Sequence, residues 1–112
     1  MAYRVVDAAE VAAAPGQHPA ASAFDKGVGD ALGVERFGIY QIELPPSAET
    51  VAHDHVDDGA EDVYAVIAGS GAVIVDGEEV AVRPGMFVAV DQASTRSVRA
   101  GPDGLAYIAV CR

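Results

Sequence analysis

The spacing of turn signals constrains this chain more than any other feature. From Arg36 onward the sequence is interrupted by Pro45-Pro46, Asp57-Asp58-Gly59, Gly69-Ser70-Gly71, Asp76-Gly77, Pro84-Gly85 and Gly101-Pro102-Asp103-Gly104. The runs between these signals are too short for most helices and are rich in β-branched residues. They predict strands over Arg36–Leu44, Thr50–His55, Asp62–Ala68, Ala72–Val75, Glu78–Val82, Met86–Val90, Arg96–Ala100 and Leu105–Cys111. Asp76-Gly77 is the strongest hairpin signal among them, because a two-residue type I′ turn needs residues that tolerate positive φ. Many short strands with closely spaced turns point to an all-β sandwich or barrel. Closing the sheet would also remove the edges that Val-rich strands otherwise expose.

The segment before Glu35 has a different texture. Asp7 can cap a short helix over Ala8–Ala14, which Pro15-Gly16 would end. Gln17 to Gly33 is rich in Ala, Gly and Asp, has no clear period, and reads as an irregular arm with room for one short strand. The expected organisation is therefore an N-terminal helix and arm over 1–34 and a barrel over 35–112, forming one domain. With 51% hydrophobic residues but only 6% aromatics and no Trp, the core must come mainly from Val, Ala, Ile and Leu. A domain of 112 residues is small, and pairing as a homodimer is a reasonable expectation.

Charge excludes some function classes. A net charge of −10 offers no basic stripe for nucleic acid and would be repelled by an anionic membrane surface. No apolar run approaches the ~20 residues of a membrane span, and Asp7 and Glu10 interrupt any leader-like stretch at the start. A cytoplasmic location is the default expectation. Cys111 is the sole cysteine and reads as a reduced small hydrophobe near a strand end rather than a reactive thiol.

The chemically pointed feature is His53-Asp54-His55. Residues i and i+2 of a strand face the same side, so two imidazoles converge. Glu61 and Asp62 open the next strand, and two His with one carboxylate form the facial triad of non-haem metal sites. A solvated polar loop is the competing reading of the same residues. His18, beside Pro19, reads as an exposed loop histidine without a second ligand nearby. Tyr40, Tyr64, Phe87 and Tyr107 fall in strands and can line the interior. Tyr64 shares the face of Asp62 by alternation and is the best candidate for pocket lining. No serine has the His and Asp partners of a hydrolase triad, and no glycine-rich phosphate loop precedes a helix.

From about Gly38 to Val110 these features resemble the cupins. That family's first motif is His-x-His, a short gap, a Glu, six residues and a Gly. Here Asp62 is followed by six residues and Gly69, so Asp62 takes the Glu position, with Glu61 as the fallback. The second motif begins at Gly85. The resemblance implies a single cupin-type β-barrel, a double-stranded β-helix or jelly roll. It also implies a metal held by His53, His55 and Asp62.

The departures bear directly on function. The gap from His55 to Asp62 is longer than usual, the family's Pro-x-Gly becomes Asp91-Gln92-Ala93, and the second-motif His becomes Arg96. An arginine stays protonated and cannot ligate a metal. Three readings of Arg96 stand open. It can clamp an anionic ligand beside a bound metal, or fill the metal position by pairing with Asp62, or turn outward through a register slip. The expected function is a small-molecule pocket built from His53, His55, Asp62, Tyr64 and Arg96, weakly or not metal-binding, with a small anionic ligand. The alternative is a metal-dependent dioxygenase or isomerase using one divalent ion (Fe, Ni, Zn or Mn) at His53, His55 and Asp62.

Overall fold

A computed structural model describes residues 2–112 of the chain. The elements run as β1 (Asp25–Lys26), α1 (Val28–Leu32), β2 (Gly38–Leu44), β3 (Asp62–Val75), β4 (Glu78–Val82), β5 (Phe87–Val90) and β6 (Arg96–Cys111). All strands pair antiparallel in one six-stranded sheet, in the order β1-β2-β6-β3-β4, with β5 added to β3. The architecture is all-β, as the turn spacing predicts. No helix among the described residues is long and apolar enough to cross a membrane.

β3 and β6 form the spine. Asp62–Gly69 pairs with Leu105–Cys111, and Gly71–Val75 pairs with Arg96–Ala100. The first half of β3 also carries β5, while its second half carries β4. The register shifts between Val66 and Ala68 and again between Gly69 and Gly71, so the two strands bend together and the sheet curls on itself.

This corrects two expected turns. Gly69-Ser70-Gly71 and Gly101–Gly104 were predicted to separate strands, yet both lie inside continuous ones. The glycines serve close approach. A Cβ on Gly69 would lie 2.1 Å from the Gly104 carbonyl oxygen, and one on Gly71 would lie 2.2 Å from that of Arg99. The bulged segments face each other, so the ladder survives where an isolated glycine cluster would break it.

Other turns fall where the sequence places them. Asp76 and Gly77, with φ of 48° and 83°, make the two-residue hairpin between β3 and β4. Pro45-Pro46 ends β2. The helix expected over Ala8–Ala14 shrinks to one 3₁₀ turn, Ala8–Glu10, although Asp7 caps it by accepting from the Ala9 amide at 2.9 Å. That turn buries no residue, and a short helix without packing cannot overcome its nucleation cost. The arm instead supplies β1, which pairs with β2, and the short α1.

The core lies inside the curl and is built from Ile42, Leu44, Val66, Val73, Val82, Val90, Val98 and Leu105 with the rings of Tyr64 and Tyr107. Val73 and Val98 are completely enclosed, each stabilising the fold by about 1.5–3 kcal/mol on area grounds. Phe87 corrects another expectation. It pairs with Ala65 on the outer face, shares that face with Val63 and Ile67, and is 73% exposed.

Candidate functional site

His53 and His55 sit on an extended segment that runs beside the start of β6. The amide and carbonyl of His53 exchange hydrogen bonds with those of Arg96 at 3.0 and 2.8 Å, and the His55 amide donates to the Gln92 carbonyl at 3.0 Å. The i, i+2 spacing therefore works as in a strand, and the two rings meet edge to face with centroids 5.0 Å apart. His55 is buried and His53 is half-buried.

Asp62 opens β3 facing inward, only 4% exposed, and Tyr64 lies two residues further on the same face. Glu61, the fallback acid, is exposed, and its backbone pairs with that of Arg112. Arg96 opens β6 and is 0% exposed, so its side chain does not turn outward. Its Nη1 donates to Asp62 Oδ2 at 2.5 Å, Nε donates to the Ser94 carbonyl at 3.1 Å, and Nη2 donates to the Asp91 carbonyl.

Asp62 Oδ2 is the hub. Beyond Arg96 it accepts from the Tyr64 hydroxyl at 3.1 Å and faces His55 Nε2 at 3.2 Å. The other ring nitrogen of His55, Nδ1, lies 3.0 Å from both carboxylate oxygens of Asp58. Burial, reinforced by the Asp62 charge, raises the Tyr64 phenol well above its ordinary range and keeps it a donor. Asp58 is held low, first by the Ala60 amide and then by His55. His53 Nδ1 lies 3.0 Å from the Val51 carbonyl, and burial lowers the pKa of this imidazole.

A cavity of about 180 Å³ opens beside this network. Its polar end holds His18, His53, His55, Asp58 and Asp62. Its apolar wall is formed by Ile42, Tyr64, Tyr107 and Ala109, with Tyr40 and Cys111 at the side. Arg96 is not on the wall and stands behind Asp62. A wider, more open groove of about 470 Å³ lies elsewhere, bounded by Phe24, Pro45, Pro46 and Asp103, and holds no imidazole.

His18 corrects the sequence reading. Its ring lies 5.5 Å from that of His53 and 5.2 Å from that of His55, and its Nε2 is 3.9 Å from Asp58. The arm lays Gly16–Ser22 across the cavity, with Ser22 anchored by its hydroxyl to Asp25 at 2.7 Å. All three histidines of the chain thus share one pocket. Nothing in the local sequence around His18 marks this, because the contact depends on how β1 pairs with β2. The sequence places Tyr107 only in the interior, and its position on the cavity wall follows from the register of β6 against β2.

His53, His55 and Asp62 each offer one ligand atom within 4.8 Å of the others, and this inward-facing group on a curled antiparallel sheet is the arrangement expected of a cupin. The family model described as the cupin domain matches residues 40–110. The chain belongs to the cupin family. The whole cupin chain is similar in fold to a cupin protein of Bacteroides fragilis, with a TM-score of 0.79 at 18% identity, covering 99% of this chain and 84% of that one. It is also similar to a putative sugar phosphate isomerase of Acidithiobacillus ferrooxidans, with a TM-score of 0.67 at 25% identity, over 78% of this chain and 56% of that one. A third likeness is to salicylate 1,2-dioxygenase of Pseudoaminobacter salicylatoxidans in complex with gentisate, with a TM-score of 0.61 at 23% identity, over 67% of this cupin and 20% of that chain. No curated protein sequence matches it.

Proposed function

We propose that this cupin is a small-molecule-binding protein whose pocket works without a metal at the family position. The observation that carries the reading is the bond from Arg96 to Asp62. A divalent ion on Asp62 would sit against a fully buried guanidinium, where charge repulsion is poorly screened. Two of the three candidate ligands are engaged already, since Asp62 Oδ2 also accepts from Tyr64 and both nitrogens of His55 face carboxylate oxygens. Arg96 supplies the positive charge that the Asp62 carboxylate needs.

The same bond revises the ligand. An anion clamp needs a reachable guanidinium, and that of Arg96 is enclosed and directed to Asp62, Asp91 and Ser94. With Asp25 and Asp58 also on the wall, an uncharged ligand suits the cavity better than an anion. A dry cavity of about 150 Å³ accepts benzene, so the ligand here is a molecule of roughly that size carrying polar groups.

The competing reading is a metal-dependent enzyme at His53, His55 and Asp62. It is favoured by the convergence of their ligand atoms and by the isomerase and dioxygenase among similar folds. Calorimetric titration with Zn(II), Ni(II), Mn(II) and anaerobic Fe(II) separates the two. The parent protein is expected to bind weakly or not at all, and Arg96→His to gain affinity by restoring a third imidazole. Tight stoichiometric binding by the parent would establish the competing reading.

A further inference from the structure

Tyr64 and Tyr107 stand edge to face on the cavity wall, their ring centroids 5.5 Å apart. Their hydroxyls differ. That of Tyr64 donates to Asp62, whereas that of Tyr107 has no hydrogen-bond partner among the described residues. Tyr107 is nonetheless only 4% exposed. No fully occluded side-chain oxygen or nitrogen among the described residues lacks a partner, so the phenolic oxygen of Tyr107 opens onto the cavity it lines. A buried hydroxyl is costly to leave unpaired, and this one borders a cavity whose contents can pair with it.

His53 supplies the complementary group. Its Nδ1 faces the Val51 carbonyl, which can only accept. The proton of the neutral ring is therefore on Nδ1, and Nε2 is left as an acceptor. The same cavity is lined by the apolar side chains of Ile42 and Ala109 and the ring of Tyr64, a surface suited to a flat ring.

We propose that the Tyr107 hydroxyl anchors the ligand by donating to it, and that the ligand is an uncharged hydroxylated ring that also donates to His53 Nε2. The proposal rests on the metal-free reading of the pocket. Burial raises the Tyr107 phenol far above neutral pH, which keeps it a donor. A single ring is readily accommodated by a cavity of about 180 Å³.

Ligand-observed NMR titration with phenol, catechol and resorcinol, with toluene as the hydroxyl-free control, tests this. At least one dihydroxybenzene should bind the parent protein more tightly than toluene. Tyr107→Phe, which removes one oxygen, should weaken that binding by about fivefold to tenfold and leave toluene unchanged. His53→Ala, at the half-buried rim, should weaken the dihydroxybenzene in the same selective way. Equal affinity in parent and Tyr107→Phe overturns the proposal, and so does a parent protein that prefers toluene. A stoichiometric metal found alongside an intact Tyr107→Phe effect would contradict the metal-free reading alone.

Discussion

The carboxylate of Asp62 and the guanidinium of Arg96 lie 34 residues apart in the chain and meet at 2.5 Å in the barrel interior. Each opens one of the two spine strands, β3 and β6, which run antiparallel, so Asp62 lies opposite Cys111 and Arg96 opposite Val75, and the two meet only because the sheet curls on itself. Both side chains are almost completely enclosed. The pair thus links the architecture to the chemistry, because the position that would carry a metal-binding imidazole in a cupin carries the cation that neutralises the acid.

Removing one member of a buried ion pair leaves an uncompensated charge, which costs about 3–5 kcal/mol. Arg96→Met should therefore lower unfolding stability by that amount in urea denaturation. The double variant Arg96→Met with Asp62→Leu should recover most of the loss, since paired apolar replacements are often neutral. A single variant that costs less than about 1 kcal/mol would show that the pair is not held as described.

The bends in β3 and β6 give a second test. Gly69→Ala places a methyl 2.1 Å from a backbone oxygen at φ 77°, while Gly77→Ala meets nothing within 4 Å and incurs only the strain of φ 83°. Gly77→Ala should cost about 1–2 kcal/mol. Gly69→Ala should cost clearly more, because backbone must move. Calorimetric melting of both variants decides this, and equal losses would contradict the close approach of the strands.

These glycines also show what was legible in the sequence. The hairpin at Asp76-Gly77 and the stop at Pro45-Pro46 depend on local backbone preference, so they could be read directly. The glycines at 69, 71 and 104 carry the same local signal but answer to a strand across the barrel, which local reading turns into false breaks. The site divides in the same way. His53, His55, Asp62 and Tyr64 are tied by the period of two along extended segments, and their common face was predictable. His18 comes in on an irregular arm, and no periodicity reports where an arm lands. Arg96 was singled out by its departure from a family pattern, and of its three readings the burial of its side chain excludes the outward-turned one.

Cys111 offers a pH test. Burial, with Asp62 nearby, pushes its thiol up to about 11. A raised thiol pKa means less thiolate at any pH below it, so alkylation by iodoacetamide at pH 8 should run on the order of a hundredfold slower than for a free cysteine. The rate should still be climbing at pH 10, where a free thiol has levelled off. A plateau by pH 9 would contradict the partly desolvated setting of the thiol.

Val63, Ile67 and Phe87 share an uncharged outer face, with exposures of 37, 45 and 73%. A homodimer, expected for so small a domain, would cover them. Sedimentation velocity should find a dimer at micromolar concentration, and Phe87→Asp should shift it to monomer. A parent protein that sediments as a monomer at every concentration would remove this face as an interface.

If Arg96 stands in for a metal, the metal content of the protein shows it most directly. Protein expressed with supplemental iron, nickel, zinc and manganese, then dialysed without chelator, should carry far less than one ion per chain by elemental mass spectrometry. His53→Ala should leave that figure unchanged. One ion per chain, lost in His53→Ala, would contradict the account.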